Sequence, residues 1–540
     1  MTQQEATQHP YPAKASFDGG DLDCGNGLLL LIRKHIDPLN TGELLEIISY
    51  DSTVQYDLPS WCRLSKNELV HHYQDGPRWR FLVSKGAFTP PAAAPRDSGV
   101  TQPEMALNQI VDATNLVAPK IKKKRRKPQM EVTQPVVEPH IPDSLPEPAP
   151  AAPIAPLSVL SLGSWPRPRW LLRDLHQHLE SRLSDAEFEE IADDAVRLAI
   201  AAQERAGVDV VSDGEQRRDN YSSFVGGLLQ NCQLIPVTDL LPYVDDPAEF
   251  EKELRALDVP AGEVRHPAVF GKLGRDRPLA CHEARFAQSV TDRPVKVSLP
   301  GPYLLTRTMW MECVSDRAYA DRDELAVDIV RVLREEIANL LALGVALVQI
   351  DEPVLTEVVY GDIGGGGRTF MCGALGERLA PETELEFAQR LLEEVTSGFP
   401  TERLAMHVCR GNWTADESKA LSGGYEPLVP LFQAVNVGTL VLELATPRAG
   451  ELEALADVRP DQRIGVGVVN QKQTELESRE TVAARGQRAI DLFGIERVLL
   501  NTDCGFATFA DNPIVSATLA EQQLQLIANA RDLLRERNSV

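Results

Sequence analysis

Downstream of about residue 156, two hydrophobic patterns alternate along the chain. One is a short apolar run rich in β-branched residues: SVLSLGS (158–164), VDVVSDGE (208–215), VKVSLPGP (295–302), LVQIDEP (347–353), LAMHVC (404–409), TLVLELA (439–445), IGVGVVN (464–470) and VLLNTDCG (497–505). The other is a longer amphipathic stretch with helical periodicity, at 185–206, 323–343, 385–397, 479–493 and 516–535. Continuous apolar runs predict strands covered on both faces, and helices between them predict parallel connections. Eight such runs in about 380 residues predict an α/β fold, a (β/α)8 TIM barrel over 157–538. The stretch 221–294, between the second and third runs, predicts an insertion. No internal repeat is visible.

Upstream the pattern changes. GLLLLIRKHID and LPSWCRLSKN have helical character, ELLEIIS reads as a strand, and ELVHHYQ with RWRFLVSKG reads as a hairpin. Residues 15–87 are therefore expected to form a small α+β sandwich, with Cys62 in its packed core. Pro and Ala accumulate over 88–156, as in TPPAAAP and VVEPHIPDSLPEPAPAAPIAP. Such a composition cannot bury a core and predicts a disordered, semi-rigid linker. It carries a basic run, Lys122 to Lys127. That run reads as a solvated charge tract, or as a dock for an acidic surface such as the protein's own body.

Composition narrows the function classes. Of 540 residues, 43% are hydrophobic and 25% charged, an ordinary globular balance. The formal net charge of −24 predicts repulsion of nucleic acid and of anionic membrane. No run approaches the about 18 apolar residues of a membrane span, and MTQQEATQHPYPAK lacks the apolar region of a secretion signal, so a cytoplasmic location is expected. The eight cysteines show no framework spacing and are expected as reduced thiols.

In a barrel the active site lies at the C-terminal ends of the strands. Polar residues gather there in nearly every run: Gly163-Ser164, Asp213-Gly214-Glu215, Asp351-Glu352, His407-x-Cys409, Glu443 and Asp503-Cys504. His407 and Cys409, two apart on a strand, face the same way. With Glu443 and Cys504 from other strands they form a plausible tetrahedral zinc set, in which thiolates favour zinc over magnesium. The alternative is that these cysteines pack as small buried hydrophobes. The Gly364–Gly367 run reads as a mobile cover or as an ordinary flexible loop.

The segments LGSWPR, SDGEQRRDNYSSF, VSLPGPY, QIDEPVL, MHVCRGN, LELATPR, GVVNQKQTELES and NTDCGFAT, in that order, resemble the catalytic domain of cobalamin-independent methionine synthases. The resemblance implies a zinc-dependent methyltransferase that activates the homocysteine thiol. It implies that His407, Cys409, Glu443 and Cys504 bind the zinc. Asp351 and Glu215 would hold the substrate amino group, and Gly163 and Ser164 its carboxylate. Where longer members carry a catalytic histidine this chain has Lys472, a candidate for electrostatic or proton-transfer work. Like short, core-type members it lacks a second N-terminal barrel. The methyl donor is then methyltetrahydrofolate or a methylcorrinoid, and a corrinoid protein becomes a candidate partner.

The N-terminal unit weakly resembles the TusA-like sulfur carriers through DLDCGNGLLLLIRKHID, TGELLEIISYD, DLPSWCRLSKNELV and FLVSKG. That family carries Cys-Pro-x-Pro at the start of its first helix; this chain has Cys24-Gly25-Asn26-Gly27 instead, without the prolines and with Cys24 one place early when the helix is aligned without a gap. Cys24 is thus a candidate sulfur carrier, set against a degenerate docking or dimerisation module. This opens an alternative function, a thiol-alkyl or sulfur-transfer enzyme fed by its own N-terminal domain or a sulfur-relay protein. A third option, a relic barrel used as a scaffold, fits poorly with the retention of all four ligand types.

Overall fold

The computed structural model describes residues 9–540 apart from 21–27, 52–53, 66, 90–131, 133, 237–264, 312–313, 362–378 and 413. Cys24, the basic run at 122–127 and the Gly364–Gly367 run lie outside the described residues. The chain divides into two compact units, the second beginning near residue 129.

The N-terminal unit has strands β1 (Ala15–Asp18), β2 (Leu44–Ser49), β3 (Glu68–Asp75) and β4 (Arg78–Ser84), with helices α1 (Leu28–Ile36) and α2 (Val54–Leu64). The sheet order is β1-β2-β4-β3. β1 joins β2 in parallel, and the other pairings are antiparallel. Leu28, Ile32 and Ile36 recur every four residues along α1 and pack with Leu45, Ile47, Phe81 and Val83. Cys62 is 1% exposed within this core, so its packing role is as expected. β1 was not expected: four residues with alternating half-burial give too short a signal.

The second unit is the expected barrel. Six strands, β7 (Lys296–Pro300), β8 (Leu347–Asp351), β9 (Leu404–Val408), β10 (Thr439–Leu442), β11 (Arg463–Val469) and β12 (Val498–Thr502), form one parallel sheet in sequence order. Single bridges close the ring through the two earlier runs: Val159 with Leu500, Leu160 with Val210, and Val211 with Val295. The expected helices are α4 (Asp185–Arg205), α7 (Arg322–Ala342), α9 (Pro381–Thr396), α11 (Arg479–Phe493) and α12 (Ala517–Asn538). They are joined by α3 (Arg169–Leu179) and shorter pieces, α6 (Pro302–Met309), α8 (Val354–Tyr360) and α10 (Val429–Ala434). The insertion contributes an antiparallel pair, β5 (Gln230–Pro236) with β6 (Arg265–Gly274), and α5 (Cys281–Val290).

One expectation is corrected. Residues 134–156, read as part of a disordered linker, run in extended form along the barrel. The Ala149 amide donates to Leu341 O at 3.0 Å. Arg403 donates to Ala149 O at 2.9 Å, and Arg463 to Ile154 O at 2.9 Å. Ile154 packs on the interior cluster of Leu160, Leu347, Ala405, Val441 and Leu499. A Pro/Ala-rich segment cannot make its own core, but its carbonyls remain free acceptors for guanidinium groups on a fold that already exists.

Candidate functional site

The carboxyl ends of the barrel strands surround a cleft lined in part by Ser164, Glu215, Asp351, His407, Cys409 and Cys504. His407 lies on β9, opposite Asp351 of β8 and Val441 of β10. Its Nδ1 donates to Val441 O at 2.9 Å; a carbonyl can only accept, so the proton sits on Nδ1. Its Nε2 lies 3.5 Å from Cys504 Sγ and offers a lone pair there once its own proton has left. Ligand atoms of His407, Cys409 and Cys504 all lie within 4.8 Å of one another. Cys409 follows β9 by one residue and Cys504 follows β12 by two, so strand register carries both thiols to the rim.

The three groups act on one another strongly. The Cys504 thiol beside it holds Cys409 well below the usual thiol range, with His407 assisting against burial. Cys504 is pushed well up by Cys409 and by burial. Burial pulls His407 down, but the Cys409 sulfur outweighs it and holds the imidazole at about 9. A pocket with two sulfurs, an imidazole nitrogen facing one of them and nearby carboxylates has the chemistry of a site for a thiophilic divalent cation. A backbone carbonyl fixing the outer nitrogen of the histidine is the usual support for such a ligand.

Glu443 stands one residue beyond β10 but outside this tight group. Its Oε2 accepts from the Arg410 amide at 2.9 Å, and its Oε1 is paired with Arg448. Arg448 also holds Glu417 at 2.7 Å. The structure thus brings three of the four expected ligands together and places the fourth alongside, with its charge met by a guanidinium.

Glu215 and Asp351 both line the cleft. Burial pushes the Glu215 carboxyl up to about 7, with Arg218 opposing and Asp351 adding to the shift. Burial also raises Asp351. Gly163 has φ +144°, and a Cβ there would run into the Glu215 carboxylate, so only glycine fits. Ser164 Oγ accepts from the Ala507 amide at 3.2 Å, which leaves its hydroxyl proton free to donate. Lys472 is buried, with Nζ donating to Gly411 O at 3.0 Å, and is not among the residues lining the cleft.

Several contributors were not anticipated. Arg265 and His266, from the insertion strand β6, form part of the wall. His266 is 5% exposed, and its Nε2 has no hydrogen-bond partner among the described residues. Asn412 and Gln471 link the rim: Gln471 donates to Asn412 Oδ1 at 2.6 Å and accepts from the Cys504 amide at 3.2 Å. Both lie inside motifs already visible in the sequence, MHVCRGN and VVNQKQ. No sequence signal marked β6 as cleft wall.

An eight-membered parallel barrel with ligating and carboxylate side chains on its C-terminal rim defines a barrel enzyme. Residues 157–235, 255–362 and 405–522 match the family model described as the catalytic domain of the cobalamin-independent synthase, and the chain belongs to that family. It is an enzyme of the methyltransferase class. Residues 27–85 match the sulfurtransferase TusA model. Among curated relatives, a methionine synthase of Saccharolobus solfataricus is 25% identical, the match covering 71% of this chain and 96% of that one. One of Sulfurisphaera tokodaii is 26% identical, covering 71% and 94%. Two solved structures share the fold. A B12-independent methionine synthase from a Shewanella species, in complex with selenomethionine, has a TM-score of 0.52 and 21% identity over 72% of this chain and 99% of that one. A putative vitamin-B12-independent methionine synthase from Listeria monocytogenes has a TM-score of 0.50 and 19% identity over 71% and 99%. No described helix is long and apolar enough to cross a membrane.

Proposed function

We propose that the barrel transfers a methyl group to the thiol of homocysteine, giving methionine, with zinc as its metal. The observation that carries this reading is one cleft lined by His407, Cys409 and Cys504 together with Glu215, Asp351 and Ser164. His407, Cys409 and Cys504 would hold the zinc, with Glu443 as fourth ligand on release from Arg448. Bound there, zinc lowers the pKa of a substrate thiol, so that a thiolate is present at neutral pH. Glu215 and Asp351 take the ammonium group; Ser164 and the backbone at Gly163 take the carboxylate. These contacts fix the sulfur for an in-line displacement, in which the methyl group passes from donor to sulfur and the donor leaves with the bonding electron pair. Lys472 contributes electrostatically from beneath the loop that follows Cys409, since its ammonium is committed to Gly411 O.

The donor is methyltetrahydrofolate or a methylcorrinoid. Turnover of homocysteine should be measured with mono- and polyglutamate methyltetrahydrofolate, methylcobalamin and a sulfide source. The purified protein should carry about one zinc per chain. Cys504→Ser should lose the metal and lower methionine formation by more than about a hundredfold. Retained turnover in that variant would remove the metal-based reading. A sulfide requirement would favour the alternative, an enzyme fed with sulfur, which the TusA match at 27–85 supports.

A further inference from the structure

Lys296 is a basic residue with no exposed surface, set in a strand that is buried at every position. Its ammonium has three hydrogens and three acceptors: Leu162 O at 2.7 Å, Gln349 Oε1 at 2.9 Å and Ser298 Oγ at 3.0 Å. Gln349 is 1% exposed and lies two residues before Asp351 on β8, so both side chains point to the barrel interior. Its amide nitrogen donates to Asp351 Oδ1 at 2.7 Å. Lysine can only donate, so it captures the amide oxygen and turns the amide nitrogen toward the carboxylate. The reversed amide would set NH₂ against an ammonium and oxygen against a carboxylate. Asp351 Oδ2 makes no hydrogen bond to a described residue.

We propose that Lys296 and Gln349 form a positioning relay. The buried lysine locks the glutamine amide, and the amide anchors one oxygen of Asp351 so that the other faces an incoming ammonium group. The relay makes the cleft selective for an α-amino thiol over the same thiol without its amino group. Burial pulls the Lys296 ammonium down to about 8, with Asp351 and Glu215 opposing. Three acceptors around Nζ suit the charged form, whose positive potential reaches both carboxylates.

The inference rests on the proposed role of Asp351 and is tested through substrate preference. The ratio of kcat/KM for homocysteine to kcat/KM for 4-mercaptobutanoate, which lacks only the amino group, should be measured in the full-length, metal-loaded protein. In wild type the ratio should favour homocysteine. In Lys296→Met and Gln349→Leu it should fall by about tenfold or more, mostly through a higher KM for homocysteine, while metal content holds. A merely structural role would depress both substrates alike and leave the ratio unmoved. Should Lys296→Met fail to fold, Gln349→Leu, which leaves the ammonium its acceptors on Leu162 and Ser298, carries the test. A wild-type ratio near one would overturn the ammonium-binding role of Asp351, and the relay with it. A wild-type preference retained in the folded variants would overturn the relay alone.

Discussion

At the scale of single residues, burial decides what a titratable group can do. His266 shows this outside the ligand cluster: burial alone holds its imidazole down to about 3. The unfolded chain, with an ordinary histidine value near 6.5, takes up a proton as pH falls through that range while the folded protein does not. Stability contributed by this site is therefore full above about pH 6.5 and declines as pH falls toward 3, by about 2 kcal/mol at pH 5. His266→Asn should shrink the drop in thermal midpoint between pH 7.5 and pH 5 by a few degrees relative to wild type, as read by calorimetry. An unchanged drop would show that the imidazole protonates within the fold. The thiols and the imidazole of the cluster were legible because His-x-Cys at a strand end has one geometric consequence. The engagement of Glu443 was not legible, because its guanidinium partner reaches it through the fold of the 447–449 turn. Lys296 stood in plain view within VKVSLPGP, yet two of its three acceptors, Leu162 O and Gln349 Oε1, come from other segments that only the closed barrel brings to it.

At the scale of elements, the clearest patterns matched best. The apolar runs became the barrel staves, and the long amphipathic stretches became helices within a few residues of their expected ends. The first two staves meet their neighbours through single bridges, less pairing than their apolar runs suggested. β5 and β6 escaped notice because neither alternates cleanly: β6 is buried at almost every position, with Pro267 and two glycines inside it. The strap at 134–156 was misread because composition reports what a segment cannot do alone, not what a neighbouring fold does with its carbonyls. Ile154 provides the check, since it is half-buried against the barrel's interior cluster. Ile154→Ala should lower the unfolding free energy of the barrel by about 1 kcal/mol, at the low end for a buried aliphatic truncation. A free linker would tolerate the same change with no shift in the denaturant midpoint.

At the scale of the whole molecule, the question is whether the N-terminal unit serves the chemistry of the barrel. The sulfurtransferase match begins at residue 27, three positions beyond Cys24, and Cys24-Gly25-Asn26-Gly27 lacks the prolines that the resemblance leads one to expect. A persulfide carrier needs a thiol of lowered pKa, and a helix N-terminus can supply one. The packed core around Cys62, by contrast, needs no such thiol to be stable. Methyl transfer between two small molecules in the barrel cleft draws on nothing from Cys24, whereas delivery of sulfur along a tethered chain would depend on it entirely. Cys24→Ser should therefore leave kcat and KM for homocysteine methylation within about twofold of wild type. Loss of turnover in this variant, with zinc content and folding intact, would shift the function to sulfur transfer. Product analysis by mass spectrometry with isotopically labelled sulfide would then locate the transferred atom.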